Sequence, residues 1–396
     1  MAPKSPIARQ PWPESASRPM VSPLQPAVVY ASDSPDTLDA QYAGDLSGYT
    51  YAREGHPNAD VVARMVDELE GAEGGLVTGS GMAAVTAAVM GAVKAGDHVI
   101  GGDQLYGRSL RLLNETLPAF GVATSTADAT DAAAVAAAIT EKTRLILIEI
   151  VSNPTIRVAD LQGIAALARE RGILLAVDNT FTTPRSIRPF DHGADLVIHS
   201  LTKILSGHSD TTLGYVAARD AALREQIEVF AVTAGLTPSP FDCWLAERGL
   251  LSFALRFDRA ESNAAALADA LGDHPAVQRV FYPTRADHPD HNRAIALLGD
   301  RGSHMLSFEI AGGRGAANAL VKAMPELPFA PTLGDIGTTL SHPATSSHRG
   351  LTPEARGAIG ISEGFFRVSV GCEEPDALAP LFARGLDAAV RVSRAD

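Results

Sequence analysis

Residues 173–203 read ILLAVDNTFTTPRSIRPFDHGADLVIHSLTK and contain two apolar runs, ILLAVD (173–178) and ADLVIHS (194–200), each followed by polar residues. A third run, TRLILIEI (143–150), comes before them, and its LILIEI part is apolar at nearly every position. Such runs are typical of strands that are covered on both faces. Ala- and Leu-rich stretches of helical character alternate with the runs. This alternation predicts an α/β fold in which a mainly parallel sheet lies between two layers of helices.

The same patterns divide the chain into three predicted parts. Strands and helices alternate over about residues 58–255, which we predict to be a large domain. A helical stretch, three short strand-like runs (AVQRVFYP, MLSFEIAG and FFRVSVG) and a closing helix from about Pro375 then predict a smaller C-terminal α+β domain over residues 256–396. Residues 1–57 have little periodicity and predict a loose tail, followed from residue 22 by an extended arm.

Composition and charge argue against several classes of partner. The 396-residue chain has a formal net charge of -13 and no Lys/Arg cluster, so we expect a small-molecule partner and no nucleic acid. Its cysteines, Cys243 and Cys372, offer neither a disulfide framework nor a CxxC spacing, which predicts a reducing compartment and no metal site. No signal peptide and no apolar run of membrane-spanning length is visible, so we expect a cytoplasmic protein.

Polar residues follow the apolar runs at four predicted strand ends. Ligands of open α/β sheets bind at the carboxyl ends of the strands, so these residues are candidates for a site. We expect one site to collect all four groups, which are residues 78–82, residues 152–153, residues 178–180 and residues 200–203.

The first group contains Gly79-Ser80-Gly81-Met82, which precedes an Ala-rich helical segment. Free backbone N–H groups and the helix dipole at such a helix start can hold an anion such as phosphate. Ordinary turn geometry is the alternative explanation of these glycines.

Lys203 and Asp178 both follow strands that are predicted to be buried. A buried lysine is costly unless its charge is removed or paired, and an imine with an aldehyde cofactor removes that charge. A carboxylate at the neighbouring strand end would suit a protonated pyridine nitrogen, which can accept electrons from a substrate carbanion. Alternatively, Lys203 extends from a loop into solvent, and Asp178 caps a helix or a turn.

At these positions the chain resembles the cystathionine γ-synthase, cystathionine γ-lyase and methionine γ-lyase family of fold-type I pyridoxal 5'-phosphate (PLP) enzymes. The resemblance rests on VDNTF (177–181) and HSLTKILSGH (199–208), and it extends from about Tyr49 to the C-terminus. It implies an aspartate aminotransferase-like fold with PLP as the cofactor. Further matching segments are Leu105-Tyr106-Gly107, Ser152-Asn153-Pro154-Thr155, His342-Pro343-Ala344 and Arg367-Val368-Ser369-Val370-Gly371.

The resemblance implies a role for each cofactor-binding residue. Lys203 would form the Schiff base with PLP and then move the Cα proton, and Asp178 would hold the pyridine nitrogen. Tyr51 and Arg53 of the arm would complete the phosphate site of a neighbouring subunit, so the arm implies a homo-oligomer, with a dimer of dimers as the expected form. The phosphate would be held within the same subunit by Gly81, Met82, Ser200 and Thr202.

The resemblance also implies how the amino-acid substrate is held. Tyr106 would stack on the cofactor ring and help to transfer a proton to the leaving group. Arg367, with Asn153 beside it, would bind the substrate α-carboxylate in a bidentate geometry that lysine cannot copy. The alternatives are a packed aromatic residue at a helix start for Tyr106 and a surface ion pair for Arg367.

Several positions of the side-chain pocket depart from the familiar members of the family. Arg108 stands where methionine γ-lyases have cysteine and cystathionine γ-synthases have glycine, while Arg111 matches an arginine near the distal end of the substrate. Two guanidinium groups there would favour a polar or carboxylate-bearing side chain, unless they lie on a helix surface. Pro331 and Thr50 stand where familiar members carry glutamate, although the hydroxyl of the neighbouring Thr332 can still reach the lysine or the substrate carboxylate.

Three functions remain open on the sequence. The leading hypothesis is γ-elimination or γ-replacement on a γ-substituted amino acid, as in transsulfuration. The nearest rival is β-elimination, of the cystathionine β-lyase or cysteine desulfhydrase type. A catalytically silent PLP-binding protein is the third possibility.

Overall fold

A seven-stranded sheet forms the centre of the larger part of the computed structural model, which describes residue 13 and residues 15–393. The strand order is β1-β7-β6-β5-β4-β2-β3, and among these strands β7 alone runs in the direction opposite to the other six. This confirms the predicted mainly parallel sheet. The strands are β1 (Leu76–Thr78), β2 (His98–Gly102), β3 (Ala123–Ala127), β4 (Thr143–Glu149), β5 (Leu174–Asp178), β6 (Leu196–Ser200) and β7 (Gly214–Ala218).

Helices cover both faces of this sheet. Successive residues of a strand point to opposite faces, so alternate residues of the central strands are buried in two separate cores. Ile146 and Ile148 of β4 belong to one apolar cluster, whereas Leu145 and Leu147 belong to another. The helices are α1 (Pro35–Ala43), α2 (Pro57–Glu70), α3 (Gly81–Ala92), α4 (Gly107–Arg111), α5 (Leu117–Ala119), α6 (Ala132–Ala138), α7 (Leu161–Arg171), α8 (Thr183–Ser186), α9 (Ala221–Thr233), α10 (Pro240–Leu250), α11 (Phe253–Gly272), α12 (His291–Leu298), α13 (Gly313–Lys322), α14 (Pro353–Ala358) and α15 (Pro375–Ser393). The continuous apolar runs of the sequence therefore correspond to strands that are covered on both sides.

A second, antiparallel sheet lies in the C-terminal part, with the order β10-β11-β9-β8. Its strands are β8 (Val277–Phe281), β9 (Met305–Ile310), β10 (Thr339–Ser341) and β11 (Phe365–Ser369). The predicted domain boundary after residue 255 lies inside α11, whose Phe257 joins the core of the large sheet and whose Leu271 joins that of the small sheet. The division into domains stays a prediction, and α11 is the helix that links the two cores.

The arm differs from the extended segment that the sequence predicted, because it contains α1. Ser34 accepts a hydrogen bond from the backbone N–H of Thr37, Pro35 is the first helical residue, and Gly44 closes the helix with a φ of 78°. These capping signals stabilise a nine-residue helix despite its weak periodicity. The first residues of the predicted tail, 1–12 and 14, lie outside the described residues.

Within the described part of the chain, none of the helices is long and apolar enough to cross a bilayer. The same residues contain no group of three or more His, Cys, Asp or Glu side chains that could hold a metal ion.

Candidate active site

A cavity of about 240 Å³ lies at the carboxyl ends of β4, β5 and β6, where the four polar groups of the sequence meet. It is bounded on one side by the start of α3 and on the other by β11 of the small sheet. The predicted site residues that line it are Gly81, Met82, Tyr106, Asn153, Asp178, Ser200, Thr202, Lys203, Thr332 and Arg367.

The start of α3 forms one end of the cavity and lies against the end of β6. Ser80 caps the helix by accepting a hydrogen bond from the N–H of Ala83 at 3.1 Å. A Cβ atom at Gly81 would lie 2.6 Å from Cβ of Ser200, so a side chain there would displace β6. The helix start therefore presents its backbone beside a serine hydroxyl, which is a suitable donor set for phosphate.

Thr202 also lines the cavity, but its hydroxyl already has backbone partners. Its Oγ1 donates to the carbonyl of Leu213 at 3.2 Å and accepts from the N–H of Leu213 at 3.0 Å. Thr202 thus ties the loop after β6 to the residue before β7.

Lys203 faces the cavity from the loop that follows β6. Burial, and then the positive charge of Arg367, lower the pKa of its ammonium group. The backbone of Gly334 packs on this loop, since a Cβ at Gly334 would lie 2.8 Å from the carbonyl carbon of Lys203. The segment that carries Thr332 therefore closes over the lysine from the C-terminal part of the chain.

Arg256 stabilises the loop of Lys203 through hydrogen bonds to its backbone, and sequence reasoning missed this residue. Only 5% of this residue is exposed, and its guanidinium donates to the carbonyls of Ile204 at 2.7 Å, Leu205 at 3.0 Å and Gly249 at 2.8 Å. Its partners are backbone carbonyls from distant segments, so no local motif could have revealed the contact.

Asp178 ends β5 and faces the cavity beside Thr180. Its carboxylate accepts a hydrogen bond from the N–H of Thr180 at 3.0 Å. Burial raises the pKa of Asp178, whereas hydrogen bonds from Thr180 and the nearby His199 lower it. A cationic ring nitrogen in the cavity would stabilise the ionised form.

Glu149 is a second carboxyl group in the cavity, and sequence reasoning missed it as well. It ends β4 in register with Asp178 of β5. Its Oε1 accepts a hydrogen bond from the backbone N–H of Tyr106 at 2.7 Å. Burial and the adjacent Asp178 raise the pKa of Glu149 well above its usual range. The available signal was the one charged residue inside the apolar LILIEI run.

Arg367 lies in the middle of β11 and is a buried cation without a carboxylate partner among the described residues. It donates from Nη1 to Oδ1 of Asn153 at 2.8 Å and from Nη2 to the carbonyl of Thr332 at 2.6 Å, while its Nε has no partner in that part of the chain. Burial lowers the pKa of Arg367 to about 10. A substrate carboxylate would supply both the missing charge and an acceptor.

Four predicted residues lie away from the cavity of the single chain. Arg108 and Arg111 are exposed on α4, and Nε of Arg111 pairs with Glu115 at 2.7 Å. Tyr51 and Arg53 lie together in the arm, with the guanidinium carbon 5.5 Å from the centre of the tyrosine ring. Tyr106, in contrast, lines the cavity with 45% of its surface exposed.

Comparisons with known proteins find chains that are similar in sequence and in fold. The profile of the Cys/Met metabolism PLP-dependent enzymes matches residues 7–387. The chain is 37% identical to L-methionine gamma-lyase of Pseudomonas putida over 91% of its own length and 90% of that protein. It is 38% identical to a cystathionine beta-lyase of Bacillus subtilis over 88% and 89%. The crystal structure of cystathionine gamma synthase from Xanthomonas oryzae pv. oryzae in complex with cystathionine superimposes with a TM-score of 0.88, at 37% identity and 94% coverage of both chains.

Proposed function

Because the chain belongs to the family of Cys/Met metabolism PLP-dependent enzymes, we propose that it catalyses γ-elimination or γ-replacement on a γ-substituted amino acid. The observation that carries this proposal is one cavity in which Lys203 and Asp178 lie together with Arg367, a buried cation for which the described residues provide no carboxylate partner. A solved relative with the same fold holds cystathionine, which is an amino acid of this kind.

The residues of the cavity fit the family's cofactor. When bound, PLP supplies a ring that withdraws electrons from the substrate and so stabilises negative charge at Cα. Lys203 would bind its aldehyde carbon, and Asp178 would keep its ring nitrogen protonated. The phosphate would lie at the start of α3, where the backbone of Gly81 and Met82 lies beside Ser200 and Thr202.

The chain's own side chains then bind the substrate and move its protons. Arg367 and Asn153 bind the α-carboxylate, which places the substrate Cα beside Lys203. The lowered pKa of Lys203 favours the neutral amine that can take the proton from Cα. In the γ reactions a second proton must leave Cβ, and the Tyr106 hydroxyl would protonate the leaving group.

A β-elimination is the second candidate, and the similarity to the Bacillus subtilis cystathionine beta-lyase favours it. That reaction would use the same cofactor-binding residues, but it needs no proton transfer from Cβ. The two reactions differ in where the leaving group lies relative to Tyr106.

The arm supports a homo-oligomeric enzyme. Tyr51 is 41% exposed, and it lies with Arg53 outside the cavity of its own chain. We infer that this pair completes the phosphate site of a neighbouring subunit, in a dimer of dimers. A cytoplasmic location is part of the same proposal, because both Cys243 and Cys372 are free thiols.

Product analysis tests the reaction. Purified protein reconstituted with PLP should show a visible absorption band that the Lys203→Ala variant lacks. A panel of O-acylhomoserines, cystathionine, methionine and cysteine then identifies the chemistry, since γ-elimination yields 2-oxobutyrate, β-elimination yields pyruvate and replacement yields a thioether with added thiol. Pyruvate as the main product from cystathionine would favour the second candidate, and no turnover of any substrate would contradict both.

A further inference from the structure

Glu149 connects two segments that line the active site, which are the end of β4 and the residue before α4. It is the last residue of β4, and its carboxyl group accepts the backbone N–H of Tyr106 at 2.7 Å across 43 positions of sequence. Tyr106 stands immediately before α4, and among the described residues no side chain accepts a capping hydrogen bond at the start of that helix. The Glu149 carboxyl is therefore the partner that satisfies the Tyr106 N–H.

The Tyr106 segment depends on contacts of this kind because it is short and partly exposed. α4 has five residues, and 45% of Tyr106 is accessible to solvent. Leu105 beside it is buried, and the Gln104 side chain accepts a hydrogen bond from Ser152 at 3.0 Å. These contacts fix residues 104 and 105, whereas the Glu149 bond fixes the main chain of residue 106 itself.

The second neighbour of Glu149 is Asp178, which lies opposite it in the register of β4 and β5. Two carboxylates on adjacent strands repel each other, so the ionisation of one disfavours that of the other. Burial raises the pKa of both carboxyl groups, but hydrogen bonds from Thr180 counteract this effect at Asp178, whereas the pKa of Glu149 is raised well above its usual range. A neutral carboxyl at Glu149 can still accept from Tyr106, and an amide would do the same.

We propose that Glu149 is a positioning residue that holds the main chain of Tyr106, and through it the tyrosine ring, against the cofactor site. Asp178 is the residue of that site that would pair with the ring nitrogen of the cofactor. This inference rests on the proposed PLP-dependent function, and it assigns Glu149 no contact with the substrate. It predicts that the acceptor oxygen of Glu149 matters, whereas its negative charge does not.

The test compares variants that keep or remove the acceptor. Glu149→Gln keeps it and should retain PLP affinity and kcat within about twofold. Glu149→Met keeps the length of the side chain but removes the acceptor, so the PLP dissociation constant should rise and kcat should fall, each about tenfold, with a smaller change in KM. Glu149→Ala provides the same comparison if the methionine variant does not fold, and Glu170→Gln, on an exposed helix end, is the matched control.

A double-mutant cycle separates positioning from a general structural role. In a Tyr106→Ala background the ring is absent, so adding Glu149→Met should change PLP affinity by less than about twofold. A full tenfold loss in that background would overturn the inference, and so would a Glu149→Gln enzyme as impaired as Glu149→Met. Wild-type protein that binds no PLP would instead refute the proposed function, so the two failures are distinguishable.

Discussion

The inner wall of the cavity, formed by Glu149, Asp178 and Lys203, contrasts with α4, which carries Arg108 and Arg111 beside it. Each residue of the inner wall ends or follows a buried strand, so its position is fixed by the sheet. The arginines of α4 are exposed, and solvent is their main environment. The difference teaches that the residues predicted to hold the cofactor lie at the ends of buried strands, whereas the arginines predicted to select the substrate side chain lie on an exposed helix of the single chain.

Removal of Lys203 is the strongest way to test the inner wall. Lys203→Ala should lower kcat by about 10³-fold or more, because among the described residues that line the cavity no other has an amine that can bind the cofactor or move the Cα proton. Steady-state kinetics and loss of the visible absorption band measure the effect. Far-ultraviolet circular dichroism should match wild type, and a variant that keeps both the band and its turnover would contradict the assignment.

Arg367 lies across the cavity on β11, and its replacement by lysine tests whether the site needs a guanidinium there. Arg367→Lys should reduce kcat/KM by about 10²-fold, because an ammonium cannot bind a carboxylate through two parallel hydrogen bonds. The loss should appear mainly in KM, and PLP affinity should stay the same. Equal kinetics for the two proteins would show that the substrate carboxylate binds elsewhere.

The buried residue His304 should make the free energy of unfolding depend on pH. His304 packs between the rings of Phe181 and Phe257, and burial, followed by the charges of Arg367 and Arg256, lowers its pKa to about 3. Below the ordinary pKa of about 6.5 the unfolded chain binds a proton at this position and the folded protein does not, so the free energy of unfolding falls as the pH falls.

His304→Phe removes this dependence. Between about pH 7.5 and pH 5, wild type should lose about 2 kcal/mol more stability than the variant does. Urea unfolding at fixed PLP concentration gives both slopes. Identical pH slopes for the two proteins would mean that His304 is protonated in the folded state, contrary to its environment.

The same contrast explains how much could be predicted from the sequence. The central strands β4, β5 and β6 were recognisable because continuous apolar runs that end in polar residues are typical of strands covered on both faces, and Lys203 and Asp178 were recognisable because they follow such runs. α1 was missed because its capping residues, and not an apolar face, stabilise it. Arg256 was missed because its partners are carbonyls of residues 204, 205 and 249, which only the folded chain brings together.

Residues outside the cavity mark the second limit of sequence-based prediction. The resemblance assigned roles to Tyr51, Arg53, Arg108 and Arg111, and the single chain places none of them in the cavity. The roles that the resemblance implies for these residues apply to an assembled enzyme with its substrate bound, and not to a single subunit. The positions in one subunit therefore leave these roles as predictions, whereas those of the inner wall have a geometry that supports them.

Arg111 gives the smallest expected effect and tests the outer side of the comparison. An exposed guanidinium is screened by solvent, and its pair with Glu115 is a surface ion pair one helical turn away, so Arg111→Ala should change the free energy of unfolding by less than about 0.5 kcal/mol. If the side chain reaches the substrate, kcat/KM should fall about threefold for a carboxylate-bearing substrate such as cystathionine and stay constant for methionine. Arg171→Ala, which removes another exposed and paired arginine, is the control. An equal change for both substrates would place Arg111 on the surface in the assembled enzyme too, and selectivity would then depend on Arg108 or on the neighbouring subunit.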